Sequence, residues 1–245
     1  MRKLLILLLC FVGAQTKAQF LINPYAFGGI SSAGLVLNYD AGNVLSYPGS
    51  GSTWTDLSPN AINATLQGTY SYSSTPTGNI VFGSTGTAST ANVAAVQINT
   101  GTAIVWMRDN SSLAGLRAIF AKENAYSIFI NNNQLAFYDW GNSTTRQSSS
   151  TLAPNTWYMV AVTWNAIDVG AANNAKLFVN GNSVLTSTMK LTTGGQATTG
   201  VWIASNKSAQ QLNTGSVSIV YLYNRVLTDA EISQHFAINR SRHGI

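Results

Sequence analysis

Apolar and polar residues alternate along much of this chain with a period of two, which is typical of half-buried β-strands. The first clear run covers residues 35–40, where Leu35, Leu37 and Tyr39 share one face. Clusters of Asn, Gly, Ser and Thr separate the runs at intervals that favour an all-β sandwich. Eleven further strands are predicted at residues 79–82, 93–98, 103–108, 117–122, 126–130, 134–139, 157–164, 176–179, 183–188, 201–205 and 216–223.

Two local signals are more specific than the alternation. Asn180-Gly181 stands between two predicted strands and predicts a hairpin, because a type I′ turn needs positive φ at both central residues. Near the end of the chain, Thr228 and Glu231 have the spacing of a capping box. We therefore predict a short helix from Asp229 to about Asn239, with Ala230, Ile232 and Phe236 buried.

The N-terminus has the pattern of a secretory signal peptide. Arg2 and Lys3 precede an apolar stretch at residues 4–12, and Thr16-Lys17-Ala18 offers small residues for cleavage. We predict a signal peptide at residues 1–18, a linker at 19–33 and one domain at 34–245. The apolar stretch is too short to span a bilayer, so we expect no membrane span in the mature chain.

Charge is scarce in this sequence. Charged residues make up 9 % of the 245 residues, well below the ordinary share. Loss of the signal peptide would remove three basic residues and lower the formal net charge from +5 to +2. The remaining Lys and Arg are scattered, which argues against a nucleic-acid partner.

Four stretches give the chain a family resemblance. They are 34–42 with 46–58, 155–164, 176–181, and 221–232 with the closing Arg242-His243-Gly244-Ile245. Together they resemble the laminin-G-like jelly-roll domains of the concanavalin A-like lectin and glucanase superfamily. The resemblance implies an all-β, two-sheet antiparallel jelly-roll sandwich with one short C-terminal helix. It says little about function, because one fold supports many activities.

The acidic residues argue against an enzyme. Glycosidases need two carboxyl groups at a defined separation, and the glucanases of the superfamily carry a Glu-x-Asp-x-x-Glu strand pattern that this chain lacks. His235 and His243 are the two histidines, and we expect His235 to be solvated on the helix. The mature chain would contain no cysteine, which disfavours a zinc site. We therefore expect a protein that is not an enzyme.

One segment combines groups that suit a sugar. Trp140 follows a predicted strand and precedes a run of Ser and Thr that we interpret as a long loop. Asp139, Asn142 and Arg146 lie beside it in sequence, so an aromatic ring, two oxygens and a cation could share one rim. Of the other tryptophans, Trp106, Trp157, Trp164 and Trp202 are interpreted as core residues, and Trp54 as packing a loop.

Calcium is the one cofactor that the sequence leaves open. Carboxylate and amide oxygens are the ligands that this ion prefers, and Asn165, Asp168 and Asn173 offer such a set. Asp139 with Asn142 is an alternative. Each of these groups is also a common turn cap.

The leading functional hypothesis is a secreted, extracellular, non-catalytic module that binds a glycan or cell-surface polysaccharide, or mediates adhesion. The first alternative is a structural or virion-surface protein that contacts an assembly partner through residues 19–33. The second alternative is a glycoside hydrolase.

Overall fold

Two antiparallel sheets packed face to face form the protein, and a helix closes the C-terminal end of the chain. The computed structural model describes residues 29–111, 115–165, 173–190, 199–207, 212 and 214–245. The strands of this part of the chain are numbered β1 to β16 in sequence order. The predicted two-sheet jelly-roll sandwich with one C-terminal helix is confirmed.

The first sheet has the strand order β14-β13-β12-β7-β16-β5-β4, and β1 pairs with β16 beside β5. β7 lies near the middle and runs antiparallel to β12 over nine residue pairs, from Trp157 opposite Arg108 to Asn165 opposite Thr100. The strands are β1 (Leu35–Asp40), β4 (Tyr70–Ser73), β5 (Asn79–Phe82), β7 (Thr100–Asp109), β12 (Trp157–Asn165), β13 (Ala175–Val179), β14 (Asn182–Ser187) and β16 (Gly215–Tyr223).

The second sheet has the order β11-β10-β9-β8-β15-β6-β3-β2. It contains short strands that depend on their neighbours, such as β15, which has two residues and pairs with both β8 and β6. The strands are β2 (Thr53–Trp54), β3 (Ala64–Gln67), β6 (Thr87–Thr90), β8 (Leu116–Lys122), β9 (Tyr126–Asn131), β10 (Gln134–Asp139), β11 (Thr144–Thr151) and β15 (Trp202–Ile203).

The main core lies between the two sheets and is built from the alternate side chains that each strand turns inward. Trp54, Tyr126 and Trp164 are fully buried there, and the Tyr126 and Trp164 rings stack with centroids 4.5 Å apart. A second apolar cluster lies on the outer face of the first sheet, where Ile232 of the C-terminal helix joins Trp106 and Tyr221. The helix therefore covers that face.

The helix, α1, spans Asp229–Asn239, as predicted, and its capping box is present. The Thr228 hydroxyl accepts the amide hydrogen of Glu231, and the Glu231 carboxylate accepts that of Thr228. Ile232 is buried and Phe236 partly buried, but Ala230 is exposed. The expectation that His235 is solvated is wrong, because His235 is buried against the rings of Tyr221 and Tyr223 on β16.

The predicted hairpin at Asn180-Gly181 is confirmed. These two residues join β13 to β14 with φ values of 49° and 82°, as a type I′ turn requires.

Several strand predictions need correction. Residues 93–98 form a 3-10 turn at Ala94–Val96 instead of a strand. The Ser and Thr run after Trp140 is strand β11 and not a loop, because it pairs with β10. Trp54 lies in the core, whereas Trp202 alternates with the core residue Ile203 and is half-buried on the outside.

Some predictions concern residues that the structure does not describe. The signal peptide at 1–18, most of the linker at 19–33 and Asp168 lie outside the described residues. The partner proposed for the linker therefore stays a prediction. In the described part of the chain, no helix has the length and apolar character needed to cross a membrane.

Candidate functional site

A cleft of about 210 Å³ lies on the outer face of the second sheet, the face opposite the main core. Its walls and floor are Leu116 on β8, Phe129 on β9, Tyr138 and Trp140 at the end of β10, and Asn206 after β15. Tyr138 and Trp140 meet edge to face, with ring centroids 5.3 Å apart. Both rings are only half-buried, so aromatic surface is open to solvent.

Strand alternation explains why these side chains share one face. Gln134, Ala136, Tyr138 and Trp140 are two residues apart, so they project from the same side of β10. Across the sheet, Ala136 lies opposite Phe129, and Phe129 lies opposite Ala118. Because the alanine side chains are small, the sheet surface is recessed at Ala118 and Ala136, and the larger side chains of Tyr138 and Trp140 project beyond it.

A row of amide side chains borders the cleft at the far end of β10. The Nδ2 of Asn131 donates to the Oε1 of Gln147 at 2.6 Å, and the Nε2 of Gln147 donates to the Oε1 of Gln134 at 2.6 Å. We call Asn131, Gln147 and Gln134 the amide ladder. It is close to the cleft because Leu116, which lines the cleft, lies opposite Asn131.

The four residues proposed from sequence as a sugar site are divided between two sides of β10. Trp140 faces the outer cleft, whereas the Asp139 carboxylate is fully buried and accepts hydrogen bonds from the Asn142 side chain (2.8 Å) and the Lys190 amide (3.0 Å). Arg146 lies 4.0 Å from the same carboxylate. Asp139, Asn142 and Arg146 are therefore together, and Trp140 is apart from them.

The cleft floor and the amide ladder are missing from the sequence-based site. The signal that could reveal them is the alternation along β10, which already places Gln134, Ala136, Tyr138 and Trp140 on one face. The same rule places Asp139 on the opposite face.

Two of the three proposed calcium ligands, Asn165 and Asn173, lie in the described part of the chain, and Asp168 does not. The Oδ1 of Asn165 accepts a hydrogen bond from the Thr100 hydroxyl at 2.8 Å. Asn173 is exposed in a turn with φ of 65°. Among the described residues, no group of three or more His, Cys, Asp or Glu side chains could hold a metal ion.

Most described carboxylates are engaged in structural contacts. Arg242 binds Asp40 with two hydrogen bonds of 2.7 and 2.8 Å, which fixes the C-terminal residues to β1. Asp109 is paired with Arg117, and Asp229 with Lys176. Hydrogen bonds from Arg225 lower the pKa of Glu231 to about 2.

Asp56 acts as a local brace. Its carboxylate accepts the amide hydrogens of Asn38, Ser58 and Ile62 at 2.8 to 2.9 Å. These bonds tie β1 to the segment between β2 and β3.

Both histidines belong to the C-terminal segment and are buried where it packs on the first sheet. His243 stacks on Trp106 with ring centroids 3.9 Å apart, and its Nε2 lies 2.6 Å from the Ser218 hydroxyl. His235 lies 3.1 Å from the Tyr223 hydroxyl. Burial lowers the pKa of each imidazole to about 4, so both are neutral near pH 7.

Lys122 is a buried cation at the other side of the second sheet. Its Nζ donates to the Oδ1 of Asn92 at 2.8 Å and to the Thr199 carbonyl. Burial lowers the pKa of Lys122 to about 8. These bonds join β8 to the segments that precede β7 and β15.

Comparison with solved structures shows the same fold in larger proteins. Trypanosoma rangeli sialidase in complex with sialic acid has a TM-score of 0.64 at 17 % identity, over 89 % of this chain and 35 % of the sialidase. The binding domain of botulinum neurotoxin DC in complex with SialylT has a TM-score of 0.60 at 14 % identity, over 84 % and 52 %. That domain in complex with rat synaptotagmin II has a TM-score of 0.61 at 16 % identity, over 84 % and 51 %.

These similarities show the fold and no more, since the identities are low. The chain spans about a third of the sialidase and about half of the toxin domains. No curated protein matches the sequence. A family model described as the concanavalin A-like lectin/glucanases superfamily matches residues 82–233, which is more than half of the chain. The protein therefore belongs to the concanavalin A-like lectin/glucanases superfamily.

Proposed function

We propose that this protein is a secreted, non-catalytic carbohydrate-binding module, and that the cleft beside Trp140 holds the sugar. The observation that carries the proposal is the half-exposed pair Tyr138 and Trp140 above a floor of small and apolar side chains. Sugar rings present C–H faces that pack on aromatic rings, and their hydroxyls pair with amide groups.

The shape and chemistry of the cleft support binding. Small-molecule sites are concave and mostly apolar, with a few polar groups that orient the ligand. Leu116, Phe129 and the two aromatic rings supply the apolar surface, and the amide ladder at the border supplies polar groups. A glycan as the ligand is supported by two solved structures of the same fold, one in complex with sialic acid and one with SialylT.

The carboxylates support a non-catalytic role. Most glycosidases, sialidases excepted, need one carboxyl group free to donate a proton and a second beside it. Asp40, Asp109, Asp229 and Glu231 each form an ion pair, and Asp139 is buried. These five carboxylates hold the fold together, so they are not free to act as the acid or base of a glycosidase.

A glycan array followed by calorimetry tests the proposal. Binding of the best array ligand should weaken about tenfold or more in Trp140→Ala, because hot-spot aromatic side chains contribute roughly 2 kcal/mol or more. Tyr72→Ala is the matched control, since Tyr72 is also a part-exposed aromatic but lies on β4 of the first sheet.

Each binding measurement is made once with Ca²⁺ and once with EDTA, because Asn165, Asp168 and Asn173 are predicted calcium ligands and binding could depend on the ion. Silence across the array in both conditions would overturn the proposal. Release of new reducing ends from a bound polysaccharide would overturn its non-catalytic part.

A further inference from the structure

We infer that the cleft takes an uncharged oligosaccharide lying along β10, with the amide ladder as a second subsite at the end opposite Trp140. This inference rests on the proposed function and adds the class and length of the ligand. Three features of the second sheet carry it: the charge of its outer face, the length of the surface from Trp140 to Gln134, and the unused groups of the ladder.

The outer face of the second sheet carries no formal charge on its strands. Those strands contain four charged residues, Arg117, Lys122, Asp139 and Arg146. Arg117, Lys122 and Asp139 are buried, with exposed fractions of 2 % or less. Arg146 lies opposite the core residue Phe137 and 4.0 Å from Asp139, so it leaves the edge strand β11 on the inner side, with 39 % of its side chain exposed.

The outward positions are instead amides, hydroxyls and aromatic rings. One row across the sheet runs through Tyr138, Ser127, Ala121, Trp202 and Ser89, as the strand registers and the Tyr138 amide bond to the Ser127 hydroxyl show. Ser127 and Ala121 are fully buried, and the part-exposed members of the row, Tyr138, Trp202 and Ser89, are uncharged groups that suit a ligand rich in hydroxyls. A carboxylate sugar would find no counter-ion on these strands, because the exposed cations Lys190 and Lys207 lie outside them.

The two ends of this surface are too far apart to serve one sugar ring, although Gln147 of the ladder lies between them, opposite Ala136. Gln134 begins β10 and Trp140 directly follows it, six residues later, which corresponds to about 20 Å in an extended strand. The cleft reaches from Trp140 to Leu116, and Leu116 is opposite Asn131 of the ladder. A chain of several sugar units is the ligand that contacts both ends.

The ladder keeps groups available for a ligand. Its two internal bonds use the Nδ2 of Asn131, both polar atoms of Gln147 and the Oε1 of Gln134. Within the described residues, the Oδ1 of Asn131 and the Nε2 of Gln134 make no hydrogen bond. The Oδ1 of Asn131 thus remains as an acceptor and the Nε2 of Gln134 as a donor, and the Nδ2 of Asn131 and the Nε2 of Gln147 each keep a second hydrogen, for the hydroxyls of a sugar.

The test uses neutral gluco-, manno- and galacto-oligosaccharides of increasing length, beside sialylated and uronic-acid oligosaccharides. We expect affinity for a neutral series to rise with length until the cleft and the ladder are filled. Gln134→Ala should weaken binding of the long members at least threefold and leave the shortest bound member unchanged. Gln67→Ala is the control, because Gln67 is an exposed amide on β3 of the same sheet.

Charge is tested separately. Lys207 is exposed and follows the cleft residue Asn206, so it is a cation next to the cleft, and Lys190 is an exposed cation that packs against Gly141, next to Trp140. We expect less than a twofold change in affinity on Lys207→Gln, or when ionic strength rises from about 0.02 to about 0.5 M, where exposed charges are screened. The inference would be overturned by a preference for acidic glycans, by loss of binding at high salt, or by unchanged affinity for the long oligosaccharides in Gln134→Ala. Binding that still depends on Trp140 would leave the proposed function standing in each of these cases.

Discussion

At the scale of single residues, the two buried histidines should make the stability of the fold sensitive to acid. Both have a pKa of about 4 in the folded chain and about 6.5 when exposed. The unfolded chain therefore binds more protons below pH 6.5, and the free energy of unfolding should fall as the pH drops from about 6.5 to 4.

Near each imidazole a carboxylate raises the pKa and a guanidinium group lowers it, but burial is the larger cause of the lowered pKa. Arg242 and Asp40 lie near His243, and Glu231 and Arg225 near His235. Urea denaturation at a series of pH values measures the effect, and a His235→Gln/His243→Gln double variant should show a flatter dependence. Histidine NMR titrations with midpoints near 6.5 in the folded protein would contradict this account.

The ion pair between Arg117 and Asp109 is a second prediction at this scale. Both side chains are almost fully buried, with their closest atoms 2.5 Å apart. Arg117→Met would leave a buried carboxylate unpaired and should lower the free energy of unfolding by about 3 kcal/mol or more. The measurement is urea denaturation at pH 7.

Lys176→Met provides the matched control for that variant. Its ion pair with Asp229 is 2.9 Å long but exposed, so the loss should stay below about 1 kcal/mol. Equal losses in the two variants would show that burial does not set the cost.

At the scale of elements, the β13–β14 hairpin is fixed both by its turn and by α1. The Ser233 hydroxyl of α1 donates to the Gly181 carbonyl at 2.9 Å. A Cβ atom added at Gly181 would lie 3.1 Å from the Cα of Ser233 and 3.2 Å from the Cβ of Phe236. Gly181→Ala should therefore combine backbone strain with a displaced helix.

Gly51→Ala separates these two effects. Gly51 has a similar φ of 89°, but an added Cβ would have nothing within 4 Å. We expect Gly51→Ala to cost about 1 to 2 kcal/mol, the penalty of the left-handed region, and Gly181→Ala to cost more. Thermal unfolding of both variants measures the difference, and a smaller loss at Gly181 would argue against the helix contact.

The elements that sequence predicts well are those set by local chemistry. Asn180-Gly181 requires its turn, and Thr228 with Glu231 starts α1 at Asp229. β11 was missed because a run of Thr and Ser has no apolar alternation, and only its pairing with β10 makes it a strand. The two residues of β15 are a strand because β6 and β8 hold them.

At the scale of the whole molecule, the site depends on which outer face the helix covers. Sequence predicts α1 and the strands but not that α1 packs on the first sheet through Ile232, Trp106 and Tyr221. That placement follows from contacts between residues far apart in the chain. It leaves the Trp140 cleft on the other side of the sandwich.

The candidate site could be predicted only in part for the same reason. Trp140 follows from its position at a strand end, whereas Leu116, Phe129 and Asn206 join it through the pairing of β8, β9, β10 and β15. The position of Asp139 shows the limit of sequence proximity, because neighbouring residues on a strand face opposite sides.

The central claim is that the cleft on the second sheet binds a glycan, and NMR mapping on the ¹⁵N-labelled protein tests it most directly. A glycan that binds on the array is titrated into the protein, and shifts of the backbone amides are followed. We predict that the shifts concentrate on β8, β9 and β10 around Leu116, Phe129 and Trp140, and that they vanish in Trp140→Ala. Shifts that concentrate on α1 and the first sheet, or that persist in Trp140→Ala, would contradict the account.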